Sequence, residues 1–161
     1  VFCEMFDSID TVQGVIRLHP AEQLDFYQKE RELYPDVIFQ TNKEMSMEDA
    51  ILSADIVVCH NSGFGLESMA RNTPIVVLDV IEYELKSAAD YIEFADCCVA
   101  QSPDQLESIV LKLLNDSSFY EAKRLAGKNY VEQVFSSTGE DAIIAVLDTI
   151  EGILKNAESN G

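Results

Sequence analysis

The sequence predicts an α/β domain: a mostly parallel sheet with helices on both faces, a three-layer α/β/α arrangement. Two observations carry this. Ile56 to Cys59 and Ile75 to Leu78 are unbroken, largely β-branched runs, the pattern of strands covered on both sides rather than on one. Such runs alternate along the chain with segments of helical periodicity, as βαβ units require. No internal repeat, low-complexity tract or linker interrupts residues 1–161, so a single domain is expected.

Each element has its own reason. Phe2, Met5, Phe6 and Ile9 fall on one helical face. Gly14 to His19 reads as a strand closed by Pro20. Too few residues separate these two for a parallel crossover between strands, so the start is a helix feeding a strand, and its own preceding strand is expected upstream. Ala21 to Leu33 reads as a helix with Leu24, Tyr27, Arg31 and Leu33 toward the core, stopped by Pro35. Val37-Ile38-Phe39 is a short strand. Ser46 followed three residues on by Asp49 has the look of a capping box and opens a helix to about Ser53. After the Ile56–Cys59 strand, a helix presents Leu66, Met69 and Ala70 inward and stops at Asn72 and Pro74.

Val80 to Phe94 reads as irregular and then helical. Cys97 to Ala100 is a last strand. Ser102-Pro103-Asp104 starts a helix to about Leu114, with Pro103 at its first position. Asp116 or Ser117 starts another, with Tyr120, Leu125, Tyr130, Val134 and Phe135 inward. Thr138 caps a final helix to about Lys155, and the polar tail from Asn156 should fray.

The composition excludes some functions. With 29 Asp and Glu against 11 Lys and Arg, the surface repels phosphate backbones and anionic lipid headgroups. Nucleic acid is therefore not an expected partner. No apolar run reaches membrane-spanning length and no signal-peptide pattern is present, so a cytoplasmic location is expected. The four cysteines, Cys3, Cys59, Cys97 and Cys98, form no C-x-x-C pair and read as reduced thiols of a cytosolic protein. There is no Asp-x-Asp pattern, and no metal site is expected.

In open parallel sheets ligands sit beyond the carboxyl ends of the strands. Three groups fall there: His19, the turn His60-Asn61-Ser62-Gly63-Phe64-Gly65, and Asp79. The turn places a hydroxyl and backbone N–H groups at a helix N-terminus, where an anion is stabilised. Glu67, one helical turn on, is a carboxylate able to grip paired sugar hydroxyls. Each also has a plain structural use: Ser62 and Gly63 as helix cap and tight turn, Glu67 as a first-turn acid, His19 as a core histidine, His60 pointing back into the sheet, Asp79 as a cap. Tyr83, Tyr91 and Phe94 could stack on a base, although core packing is their expected use.

The chain resembles the C-terminal half of GT-B glycosyltransferases. The resemblance rests on Leu18-His19-Pro20 with Glu22, Ala54-Asp55-Ile56-Val57-Val58, Asn61-Ser62, Gly65-Leu66-Glu67-Ser68-Met69-Ala70 and Pro74-Ile75-Val76-Val77-Leu78-Asp79. It is also similar to the nucleotide-sugar 2-epimerases and polymer-forming glycerophosphotransferases of that fold. The resemblance implies one Rossmann-like nucleotide-sugar-binding domain over residues 1–161, a fragment lacking the N-terminal acceptor domain that usually carries the catalytic base. It implies donor contacts at His19, His60, Asn61, Ser62, Gly63, Phe64, Gly65, Glu67 and Asp79. Ser62 and Gly63 would face the phosphates, Glu67 the ribose, and His19 the phosphates or transferred group. A UDP- or CDP-linked sugar would be the substrate, with no separate cofactor. Peripheral membrane association would come through the missing half.

Two departures shape the expectation. Retaining members often carry a glutamate eight residues before the ribose-binding one, and here that position is Cys59. The Asn-Ser turn looks closer to surface-polysaccharide and teichoic-acid enzymes. No Arg/Lys pair for the diphosphate stands out: Arg17 lies inside a strand, leaving Lys43 and Arg71. The competing functions are a 2-epimerase half using the same site, and a non-catalytic subunit whose open sheet edge pairs with another chain. A phospho-acceptor receiver domain lacks its acidic pair and later Lys.

Overall fold

Continuous β-branched runs form the centre of the sheet because such residues pack well on a pleated surface buried from both sides. The computed structural model describes residues 2–9, 12–60, 62–79, 90–135 and 139–159. In it the strands are β1 (Val15–Arg17), β2 (Ile38–Gln40), β3 (Val57–Cys59), β4 (Ile75–Leu78) and β5 (Cys98–Ala100). The helices are α1 (Phe2–Ser8), α2 (Gln28–Leu33), α3 (Met47–Leu52), α4 (Gly63–Ala70), α5 (Asp90–Phe94), α6 (Pro103–Asn115), α7 (Ser117–Val134) and α8 (Gly139–Ser159).

The fold is α/β, and the described strand pairs are parallel. They form two sheets: β1 beside β2, and β3-β4-β5 in that order. In β4 all four residues are buried. Alternation along these strands sends their side chains into two clusters. Val57, Cys59, Ile75 and Val77 meet Met69 of α4, Tyr91 and Ala95 of the α5 region, and Tyr130 and Val131 of α7. Val76, Leu78, Cys98 and Ala100 meet Met5 of α1 and Leu106, Val110 and Leu113 of α6.

The helix ends follow their signals. Ser46 Oγ accepts the Asp49 N–H at 3.0 Å, Ser102 Oγ that of Gln105 at 3.2 Å, and Asp116 Oδ1 that of Phe119 at 3.0 Å. Asp49 departs from a capping box: its carboxylate accepts the Ser46 hydroxyl rather than a backbone N–H. α4 closes in a Schellman motif. Asn72 adopts φ 63°, its N–H donates to Met69 O, and the Thr73 N–H donates to Ser68 O.

Other expectations need correction. The segment from Ala21 is not one helix: a 3-10 turn, Leu24–Tyr27, precedes α2, and Arg31 and Leu33 are exposed. Ala70 is exposed, while Gly65 and Ser68 take the inward face of α4 with Met69. On α7, Leu125 and Val134 are exposed, as is Phe135 beyond its end; Gly127, Tyr130 and Val131 are buried. α8 continues through Ser159 instead of fraying at Asn156. Thr138, Tyr83 and the segment 80–89 lie outside the described residues.

Candidate functional site

α4 begins where β3 ends. Ser62 holds the N-cap position in extended conformation, and its side chain does not cap the helix. Ser62 and Gly63 are exposed. Among the described residues a Cβ built on Gly63 would meet nothing within 4 Å, so none of them covers the outer side of the turn. Helix N-terminal N–H groups point outward without intrahelical partners. Here the third is spoken for: the Gly65 N–H donates to Ser62 O at 3.0 Å. The amides of Gly63 and Phe64 therefore carry the positive end of the helix dipole.

From below, the turn is held by Tyr91. This buried side chain, only 1% exposed, accepts the Ser62 N–H at 2.9 Å. Its own hydroxyl proton can go to Ser62 O at 3.2 Å or His60 O at 3.5 Å. Burial first, with a smaller opposing effect from the Ser62 N–H, pushes the Tyr91 hydroxyl up to about 12, so it stays a neutral donor and acceptor. Gly65 is glycine because of this packing: a Cβ there would lie 2.9 Å from the Tyr91 oxygen and 3.2 Å from Cys59 Sγ. Burial pushes the Cys59 thiol up to about 12. Cys59 is thus a neutral thiol within the core.

His60 and Asp79 share the rim with this turn. His60 Nδ1 lies 3.1 Å from Leu78 O. A carbonyl only accepts, so this bond requires the proton on Nδ1 and leaves Nε2 as the second ring nitrogen. Asp79, exposed at the end of β4, donates its N–H to Ala100 O at 2.9 Å, and its Oδ2 accepts from Gln101 Nε2 at 3.1 Å.

The remaining candidates are placed differently. Phe64 is half-buried against the Met69–Val77 cluster, and Gly65 is buried beneath the turn. Glu67 is half-exposed and ion-paired with Arg71, which also reaches Glu48 at 3.5 Å. The Glu67 partnership is the main cause of a raised Arg71 pKa, and this guanidinium is engaged by two acids. Arg17 donates to Met45 O at 3.0 Å. His19 follows β1, in the other sheet, and bonds within its own turn. Its N–H donates to Glu22 Oε2 at 2.7 Å and its Nδ1 accepts from Ala21 N–H at 3.2 Å. Glu22 also accepts the Tyr27 hydroxyl, and these two bonds lower its pKa, the tyrosine bond foremost. Asn61 lies outside the described residues.

Sequence reasoning gave Tyr91 only a stacking or packing use and missed its hold on the turn. Its partner lies 29 residues away, with no local spacing to flag it. The Glu67–Arg71 pair was legible as an i, i+4 spacing but was passed over. Phe94 is 65% exposed, so it does not take the packing role expected of it. Among the described residues, no three His, Cys, Asp or Glu side chains are grouped to hold a metal ion, and no helix is long and apolar enough to cross a membrane. The chain matches no protein-family model, none of the curated proteins and no solved structure.

Proposed function

We propose that the chain is the donor-binding half of a GT-B glycosyltransferase, taking a nucleotide-diphosphate sugar, UDP- or CDP-linked, for glycan or surface-polysaccharide synthesis. The observation that carries this reading is the open start of α4 at the carboxyl end of β3, with His60 and Asp79 on the same rim. The two side-chain clusters fed by alternate residues of β3–β5 support the three-layer, Rossmann-like reading that goes with it. The diphosphate would sit on the Gly63 and Phe64 amides with the Ser62 hydroxyl beside them. There, backbone dipoles stabilise charge that builds on the departing nucleotide. Such fixed dipoles suit a chain carrying −18 net charge, which has few cations to spare. The base that activates an acceptor would come from an N-terminal acceptor half, as in GT-B enzymes. A cytoplasmic enzyme is the corresponding location.

One observation favours a second reading, a non-catalytic nucleotide-sugar-binding or interaction subunit. The Glu67 carboxylate is engaged by Arg71, so a ribose would have to share or displace that cation.

NMR titration of the chain with UDP, CDP, GDP and ADP tests the proposal. Saturable shifts at the Ser62, Gly63 and Phe64 amides with one of these nucleotides are expected, weakened by Ser62→Ala. No transfer from a nucleotide sugar should occur with this chain alone. Shifts confined to other surfaces, or none at millimolar nucleotide, would overturn the donor site.

A further inference from the structure

α6 and α8 carry the same apolar rhythm and meet different surroundings. On α6, Leu106, Val110 and Leu113 are buried in the cluster of Val76 and Leu78. On α8, Ile143, Val146, Leu147, Ile150 and Ile153 recur at three- and four-residue steps and so form one stripe along the helix. Each of these side chains is between 48% and 63% exposed, and none belongs to either core cluster.

Such a helix has little reason to form uncovered. Isoleucine, valine and threonine lose side-chain freedom in a helix, and Gly152 within α8 loses backbone freedom. Its stability then has to come from packing of the apolar face. The stripe leaves on the order of 500 Å² of apolar surface, near the upper end of what a lone soluble domain exposes in one patch.

The charges point to what covers it. At about 100° per residue, Glu151, Asp148 and Asp141 fall along one edge of the stripe, and all three are exposed. Lys155 joins them there, 3.4 Å from Glu151. The opposite edge is uncharged: Ala142, and Thr149, whose hydroxyl donates to Ala145 O at 2.7 Å. Two copies of this helix packed antiparallel would set acidic edge against acidic edge. Packed in parallel, the acidic edge of each runs beside the neutral edge of the other, and no like charges are apposed. Two stripes face to face would bury ~1,000 Å², about the least that a specific interface needs.

We propose that α8 is the self-association face of this chain, its apolar stripe packing in parallel against α8 of a second copy. Ile143 and Ile150 take one repeating core position, and Val146 and Ile153 the other. β-branched residues at both positions leave room for a third copy. The inference is independent of nucleotide binding, because α8 carries none of the candidate donor contacts.

Sedimentation equilibrium of the chain tests this. Over ~1–200 μM the mass should rise from 18.0 kDa to at least twice that value. Ile150→Asp seats a charge in the seam and should weaken association at least about tenfold. Ala145→Lys, on the far side of the helix, should leave the mass unchanged. Unaltered amide shifts at Val76 and Val77 show that the domain itself is intact in both variants. Direction is read by mild oxidation of Ile143→Cys, Ile153→Cys and their mixture, scoring links absent from the unaltered chain. Parallel packing joins position 143 to 143 and 153 to 153; antiparallel packing joins 143 to 153. A chain that stays at 18.0 kDa throughout assigns the stripe to some other partner and overturns the proposal. So do links between 143 and 153, or a mass that Ile150→Asp does not lower.

Discussion

The two sheets of this protein are built from similar residues and end in different states. In β3–β5 the central strand is wholly buried, and its neighbours feed two clusters lined by five helices. In β1–β2 the in-register pair Val15 and Ile38 remains 48% and 46% exposed. β-branched residues make a strand possible in both places; what differs is what lies above and below them. Burial of apolar area, not strand propensity, is what stabilises a sheet. The candidate site follows the same division. The α4 turn, His60 and Asp79 stand on the buried sheet, which can hold them in fixed positions, whereas His19 stands on the thinly covered one.

Core truncation should separate the two regions most sharply. Met69, 2% exposed between β4 and α7, should lose ~2–5 kcal/mol on substitution by alanine, the usual range for a buried side chain of this size. Ile38→Ala should cost below about 1 kcal/mol, because much of that side chain is already in water. Urea unfolding of both variants measures the contrast; equal losses would mean the two sheets are equally well packed.

Alkaline pH should act most strongly on the buried sheet. Burial pushes Cys59 up to about 12 and Cys97 up to about 11. Unfolded thiols ionise near pH ~8.5. Above that value the unfolded chain releases protons that the folded chain still holds, so stability falls as pH rises toward the folded values. Denaturant midpoints should decline between about pH 9 and 11, and Cys59→Ser or Cys59→Ala should flatten part of that decline. Reaction of Cys59 with a thiol reagent should follow unfolding rather than pH.

Within the turn itself the comparison narrows to two glycines. Gly65→Ala forces a Cβ against the Tyr91 hydroxyl and Cys59 Sγ and should cost ~1–3 kcal/mol, as overpacking usually does. Gly63→Ala meets open space and should change thermal stability little. Thermal denaturation of the pair reports whether the turn is braced from the core side, as the Tyr91 geometry implies. If both variants unfold alike, Tyr91 is not the brace.

Much of the fold was legible in advance. All five strands, the caps at Ser46, Ser102 and Asp116, and the stop at Asn72 follow from residues within four positions of one another. Local signals of this kind are set by backbone geometry and by side chains that bond their own neighbours. The helix faces were less legible. Apolar spacing marked Leu125 and Val134 as inward, yet both are exposed. Only part of α7 lies against the sheet, and spacing does not record where a partner ends.

By itself, then, the sequence determined where the five strands and most of the helices fall, that the strands pair in parallel, and that a glycine-rich turn opens a helix beside a strand end. The tertiary structure alone decided that the sheet divides in two, that Tyr91 holds Ser62 from below, and that Glu67 answers first to Arg71. These depend on contacts between residues far apart in the chain or on competition among several charges. No local pattern encodes either, because their energies arise only once packing has brought the partners together.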